Sequence, residues 1–245
     1  MDQENRPDVG LPDVHSGTHS HPDVTGGWLR PAVFGAMDGL VSNFALIMGV
    51  AGGTAASDRS PLVLAGLVGL AAGAFSMAAG EYTSVASQSE LARAEVDVER
   101  REIALNGPAE EDELARRFMG RGVEEDVARQ VARQIHDDPE IAVRVHAREE
   151  LGIDTDDLPS PVLAAGSSFL AFAIGALLPL LPFLLGASAL WPSVTVALLA
   201  LFVCGAVVTR VTTRPWWFGG LRQLVIGVAA AGVTYLLGTA FGGSA

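Results

Sequence analysis

The chain has a single cysteine, Cys204, and no lysine among its 245 residues. One thiol excludes an intrachain disulfide and any Cys-x-x-Cys metal or redox motif. All sixteen basic residues are arginines, which reads as genomic composition bias and carries no function. Charged residues make up only 18% of the chain, against about a quarter in an ordinary globular domain. Residues 160–245 contain no Asp or Glu and only three arginines, Arg210, Arg214 and Arg222. A net charge of −12 argues against a basic nucleic-acid binder. The segregation of that charge excludes an ordinary soluble domain and a wholly disordered chain. There is no Walker loop, no nucleophile–base–acid set and no dinucleotide fingerprint, so the chain is not expected to be an enzyme.

What is present is grease in blocks. Hydrophobic residues make up 49% of the chain and there are 28 glycines. Five apolar stretches run roughly over residues 32–52, 62–86, 162–185, 191–208 and 224–241. About 20 apolar residues are needed for a helix to cross a hydrocarbon layer of about 30 Å. The abundant Gly and Ala suit close helix packing in lipid, and Pro179 and Pro182 are expected to kink their span. The expected fold is an all-α polytopic membrane protein with five transmembrane helices and a helical domain inserted between the second and third.

The expected division is a disordered, His-containing tail over 1–27, helices one and two over 28–87, the insert over 88–158, and helices three to five over 159–245. Arginine placement sets the orientation. Arg30 precedes span one, and Arg210, Arg214 and Arg222 are read as lying between spans four and five. Five crossings with the N-terminus and the insert in the cytoplasm and the C-terminus outside put these arginines on the cytoplasmic side. The tail lacks the basic start and apolar core of a signal peptide, and the absence of targeting signals points to a bacterial plasma membrane.

Twenty of the 28 acids lie between Glu90 and Asp157. Breaks at Asn106-Gly107-Pro108, Gly120-Arg121-Gly122, Asp137-Asp138-Pro139 and Gly152 delimit helices. One continues from span two to about Leu105. Three more run over about 109–119, 123–135 and 140–151. Glu99 and Glu102 are three residues apart, and Glu110 and Glu113 repeat that spacing beyond the Asn106–Pro108 break. Folding there would bring four carboxylates together. His146 and Glu150 share a face of the last insert helix. Oxygen ligands with one imidazole suit Fe(II), Mn(II) or Zn(II). Solvated helices also carry Glu at this spacing, with Arg100, Arg101, Arg116 and Arg117 available to neutralise it. His15, His19 and His21 in the tail can hold metal loosely.

Two acids fall inside apolar spans. Asp38 sits in span one, where an aspartate at mid-bilayer costs about 2.5–3.5 kcal/mol on insertion scales. Glu81 lies in span two, four residues after Met77, on the same helical face. Two carboxylates and a thioether can hold a divalent transition ion. Equally, Asp38 can hydrogen-bond across the bundle, Glu81 can sit among headgroups, and Met77 can simply fill space.

The stretches GAMDGLVSNFALIMGVAGG, SMAAGEYTSVASQSE and ERREIALNGPAEEDEL, with HAREELGI, resemble the vacuolar iron transporter (VIT) family. The resemblance runs from about Trp28 to the C-terminus. It implies a five-span homodimer with the ion pathway between subunits and a cytoplasmic helical domain that captures metal. It implies export of Fe(II), and often Mn(II), from the cytosol in exchange for protons, with the metal as transported substrate and no permanently bound cofactor. Asp38, Met77 and Glu81 correspond to the family's membrane residues. Glu99, Glu102, Glu110, Glu113 and Glu150 correspond to its capture glutamates. His146 departs from the pattern, standing where a methionine is expected; imidazole is a competent ligand and adds pH sensitivity. The competing reading is a membrane-anchored metal-binding or sensing protein without flux.

Overall fold

The computed structural model describes residues 27–54, 59–209 and 214–242. The histidine-bearing tail expected over 1–27 lies outside the described residues, apart from Gly27. Seven helices are described: α1 (Leu29–Gly53), α2 (Ser60–Gly120), α3 (Glu125–His136), α4 (Pro139–His146), α5 (Pro161–Leu184), α6 (Trp191–Val208) and α7 (Trp216–Gly242). A π-turn over Ala147–Leu151 extends α4. No strand occurs among the described residues. Five helices, α1, α2, α5, α6 and α7, are long and apolar enough to cross a membrane.

Short connections join α1 to α2, α5 to α6 and α6 to α7, while α3 and α4 stand between α2 and α5. Helix α1 is central and packs chiefly on α5 and α7, with α2 against α5 and α6 against α7. Small residues make the central crossing close. A Cβ at Gly39 would collide with the backbone carbonyl of Phe172 on α5, so any larger residue would push the two helices apart. Polar groups act as pins where hydrocarbon offers no other partner. Asn43 Nδ2 donates to the Ala176 carbonyl at 2.6 Å and Thr234 Oγ1 to that of Ala45 at 2.6 Å. Ser193 Oγ donates to the Pro179 carbonyl at 2.5 Å, fastening α6 to the proline-bearing end of α5. Leu40, Phe44, Ala197, Leu201 and Ala231 form one buried cluster, and Ile47, Leu62, Leu180 and Phe183 form another.

Two boundaries differ from expectation. Helix α7 begins at Trp216 rather than near residue 224, so Arg222 lies on a helix and not in the preceding loop. An arginine does not end a helix: its long apolar stem follows the helix surface while the guanidinium reaches outward. The aromatic start Trp216-Trp217-Phe218 is exposed, as suits side chains at an interface. The second difference is that α2 runs without a loop through Pro108. Only Asn106 leaves helical geometry there, at φ −129° and ψ 29°.

The break at Asn106 is nonetheless a sharp bend. Eleven residues of straight helix advance about 16 Å, yet carboxylate oxygens of Glu99 and Glu110 come within 4.8 Å of each other. Pro108 has no N–H to continue the ladder, and Gly107 before it is freed from side-chain clashes. The arm beyond the bend packs with α3 and α4 around Leu114, Ala115 and Ala132. Asp138 caps α4 by accepting from the Glu140 and Ile141 amides. Gly152, at φ +67°, ends the π-turn in the left-handed region that favours glycine.

Candidate functional site

The first polar site lies in the membrane-length bundle. An open groove of about 300 Å³ runs between α1 and α2, and Asp38, Ser42, Asn43, Ser76 and Met77 contribute to its wall. On α1, Asp38 and Ser42 are one turn apart, so both face the groove. Phe172 of α5 and Gly69 and Gly73 of α2 complete the lining. Asp38 is exposed on the single chain, whereas Asn43 is buried with its Oδ1 lacking a hydrogen-bond partner. A carboxylate, two hydroxyls, an amide oxygen and a thioether therefore share one groove. Hard oxygen donors beside one soft sulfur suit a borderline divalent ion better than Mg or Ca.

Glu81, one turn beyond Met77 on α2, is half-buried and does not belong to that groove's lining. Of the three membrane residues singled out in the sequence, the structure thus brings Asp38 and Met77 together and leaves Glu81 to one side.

The second site lies in the insert. Glu99, Glu110, His146 and Glu150 each offer one ligand atom, all within 4.8 Å of one another. The bend at Asn106 places Glu99 and Glu110 on facing arms of α2; the end of α4 and its π-turn supply His146 and Glu150. His146 is fully buried. Its Nδ1 is 2.9 Å from Glu150 Oε1, 3.0 Å from Glu99 Oε1 and 3.9 Å from Glu110 Oε2. One nitrogen carries at most one proton and cannot satisfy three carboxylates. Glu99 Oε1 accordingly has no hydrogen-bond partner.

The electrostatics follow from this crowding. Burial, then the charges of Glu150, Glu110 and Glu113, push the Glu99 carboxyl up to about 7, against the opposing pull of Arg117. Burial, then Glu113 and Glu150, also raises Glu110. Burial pushes the His146 imidazole down, although Glu150 favours its charged form. The cluster is short of positive charge, and a divalent cation would relieve the repulsion that protons relieve in its absence.

The remaining predicted residues stand around this cluster. Glu113 pairs with Arg117 at 3.0 Å, and the same guanidinium nitrogen reaches Glu150 Oε2 at 3.1 Å. Glu102 is exposed and accepts from Asn106 Nδ2 at 2.9 Å, on the bend itself. The four carboxylates of the two Glu-x-x-Glu pairs do not converge as a set; one from each pair does, joined by Glu150. His15, His19 and His21 lie outside the described residues.

Sequence reasoning missed Ser42, Asn43 and Ser76, although each is a polar residue in an apolar span near Asp38 or Met77. It also missed His136, whose ring meets that of His146 edge to face at 5.1 Å between centroids. His136 is not one of the four converging residues.

Known proteins are similar along most of this length. The family model described as "VIT family" matches residues 29–239. Vacuolar iron transporter 1 of Oryza sativa subsp. japonica is 30% identical over 223 residues, covering 89% of this chain and 88% of that protein. Vacuolar iron transporter of Acanthamoeba castellanii is 36% identical over 174 residues, 71% of this chain and 62% of the relative. Vacuolar iron transporter homolog 1 of Arabidopsis thaliana is 33% identical, with 86% and 84% covered. With five helices of membrane-spanning length and a family match across them, the chain is a multi-pass membrane protein that belongs to the VIT family.

Proposed function

We propose that this chain carries divalent transition-metal ions, Fe(II) first and Mn(II) second, across a membrane in exchange for protons. The observation that carries the reading is the shared groove of Asp38 and Met77. A carboxylate of a bilayer-spanning helix that faced bare lipid would cost about 2.5–3.5 kcal/mol. Beside a polar groove it can instead hold a proton or a metal ion in turn. Metal binding requires the ionised carboxylate, so the arriving ion displaces a proton. Protons from a more acidic compartment then expel the ion on the far side. The names of the relatives, vacuolar iron transporters, support iron as the substrate.

In this reading the groove opens to a second copy of the chain. The exposure of Asp38 on one chain is what a pathway between two subunits would produce. Glu81 would guide ions between the groove and the insert. Residues 88–158 would be the cytoplasmic metal-binding domain, with Glu99, Glu110, Glu150 and His146 as capture ligands and Glu102 and Glu113 as flanking charge. The ends of α1, α2, α5 and α7 near Arg30, the insert and Arg214 would face the cytoplasm, the C-terminus would lie outside, and the membrane would be the plasma membrane.

The test is metal uptake by proteoliposomes with and without a pH gradient. The reading expects Fe(II) and Mn(II) to accumulate several-fold faster when the vesicle lumen is the more acidic side, so that protons run out as metal runs in. Saturable binding with no uptake under either condition would favour a sensing or storage protein instead.

A further inference from the structure

Asn43 sits in the middle of α1 and is 2% exposed. Its Nδ2 donates to the Ala176 carbonyl of α5 at 2.6 Å. A carbonyl only accepts, so the amide cannot be turned round, and the direction of Oδ1 is fixed. That oxygen is closed off from solvent and accepts no hydrogen bond among the described residues. A buried acceptor with nothing to accept from destabilises a bundle. Pinning α1 to α5 needs only the nitrogen and does not explain the bare oxygen.

The oxygen points across to α2 at a glycine. A Cβ at Gly69 would lie 2.9 Å from Asn43 Oδ1 and would collide with the end of Leu46. Gly69, Leu46 and Asn43 all line the groove that holds Asp38 and Met77. The absent side chain at Gly69 therefore keeps the space in front of Oδ1 free of carbon, and the end of Leu46 covers it. Leu46 is itself half-exposed, so a change of rotamer uncovers the oxygen. Gly69 precedes Met77 by eight residues, about 12 Å along α2. Oδ1 thus lies at the far end of the groove from the thioether.

We propose that Asn43 Oδ1 is a second ion station in the groove, which takes a divalent transition ion after it leaves Asp38 and Met77. The inference rests on the proposed transport function and adds a step to it. A neutral amide oxygen is a hard donor that suits Mn(II) and Fe(II). It carries no charge and takes up no proton, so protonation of Asp38 moves the ion on without closing the station. Leu46 is the cover that separates the two positions.

The experiment measures Mn(II) uptake by the full chain in proteoliposomes with an acidic lumen. Gly69→Ala keeps the amide pin and covers the oxygen. Asn43→Leu removes both. Each is expected to lower maximal uptake at least about tenfold without raising the half-saturating concentration, since entry at Asp38 and Met77 is untouched. Leu46→Ala is expected to keep uptake within about twofold of the unaltered rate or to raise it. Leu46→Ala combined with Gly69→Ala makes room for the new methyl and is expected to stay slow. Uptake by Gly69→Ala at the unaltered rate overturns the station, and loss in Asn43→Leu alone reduces Asn43 to a helix pin. Recovery of the double variant to the unaltered rate also overturns it, because crowding by Leu46 would then be the cause. No uptake by the unaltered chain overturns the transport reading and the station with it, whereas the other outcomes leave that reading standing.

Discussion

At the scale of single residues, Glu99 bears most of the insert's electrostatic tension. Its carboxyl is held near 7 against an ordinary 4.5, so the folded chain favours the protonated form. Stability from this group is fully present below about pH 4.5 and is lost as pH rises through about 7. Glu99→Gln removes the charge and keeps the shape. Thermal unfolding of the metal-free protein at pH 8 is expected to move to higher temperature in this variant, with a flatter stability profile between pH 4.5 and 7. The same shift predicts a pH-dependent affinity for metal in the unaltered chain. Mn(II) binding should strengthen by up to about tenfold per pH unit below 7 and level off above it, since one proton leaves as the ion arrives. An affinity flat from pH 5 to 8 would contradict this. Glu99, Glu110, His146 and Glu150 could be singled out in the sequence because residues at three- and four-residue spacing share a helix face. His136 could not, because the turn that joins its ring to His146 leaves no periodic trace.

Among the elements, the bend in α2 decides whether Glu99 and Glu110 meet beside His146 and Glu150. Asn106-Gly107-Pro108 was readable as a break, since proline cannot continue the ladder. That it folds one arm onto the other depends on contacts with α3 and α4, which no local pattern encodes. The Glu-x-x-Glu repeat suggested four converging carboxylates, but a helix face points only one member of each pair into the fold, and Glu102 stays in solvent. Gly107→Ala with Pro108→Ala favours a straighter helix. Glu99 and Glu110 then separate, and Mn(II) affinity is expected to fall at least about tenfold. Circular dichroism should show helix content kept or increased. Unchanged affinity would mean that the bend does not create the site. The start of α7 was misjudged for a related reason: an arginine in an apolar sequence reads as a boundary, whereas a helix tolerates it on an outward face.

For the whole molecule, five spanning helices were legible from hydropathy alone, because lipid demands long uninterrupted apolar runs. What hydropathy does not show is which faces stay open. Asp38 and Ser42 remain exposed beside the groove on a single chain, and α2 and α7 are the least buried of the spanning helices. Covering of that groove by a second copy predicts a protein mass in detergent, corrected for bound detergent, of twice 25.5 kDa. Light scattering that gives a single-chain mass at all protein concentrations would count against it. The most direct test of the account compares Asp38→Asn with the unaltered chain in proteoliposomes under a pH gradient, together with Mn(II) binding in detergent. The account predicts that Asp38→Asn loses metal uptake at least about tenfold while Mn(II) binding at the insert cluster is kept. Uptake at the unaltered rate would contradict it, because the groove carboxylate would then have no part in moving the ion.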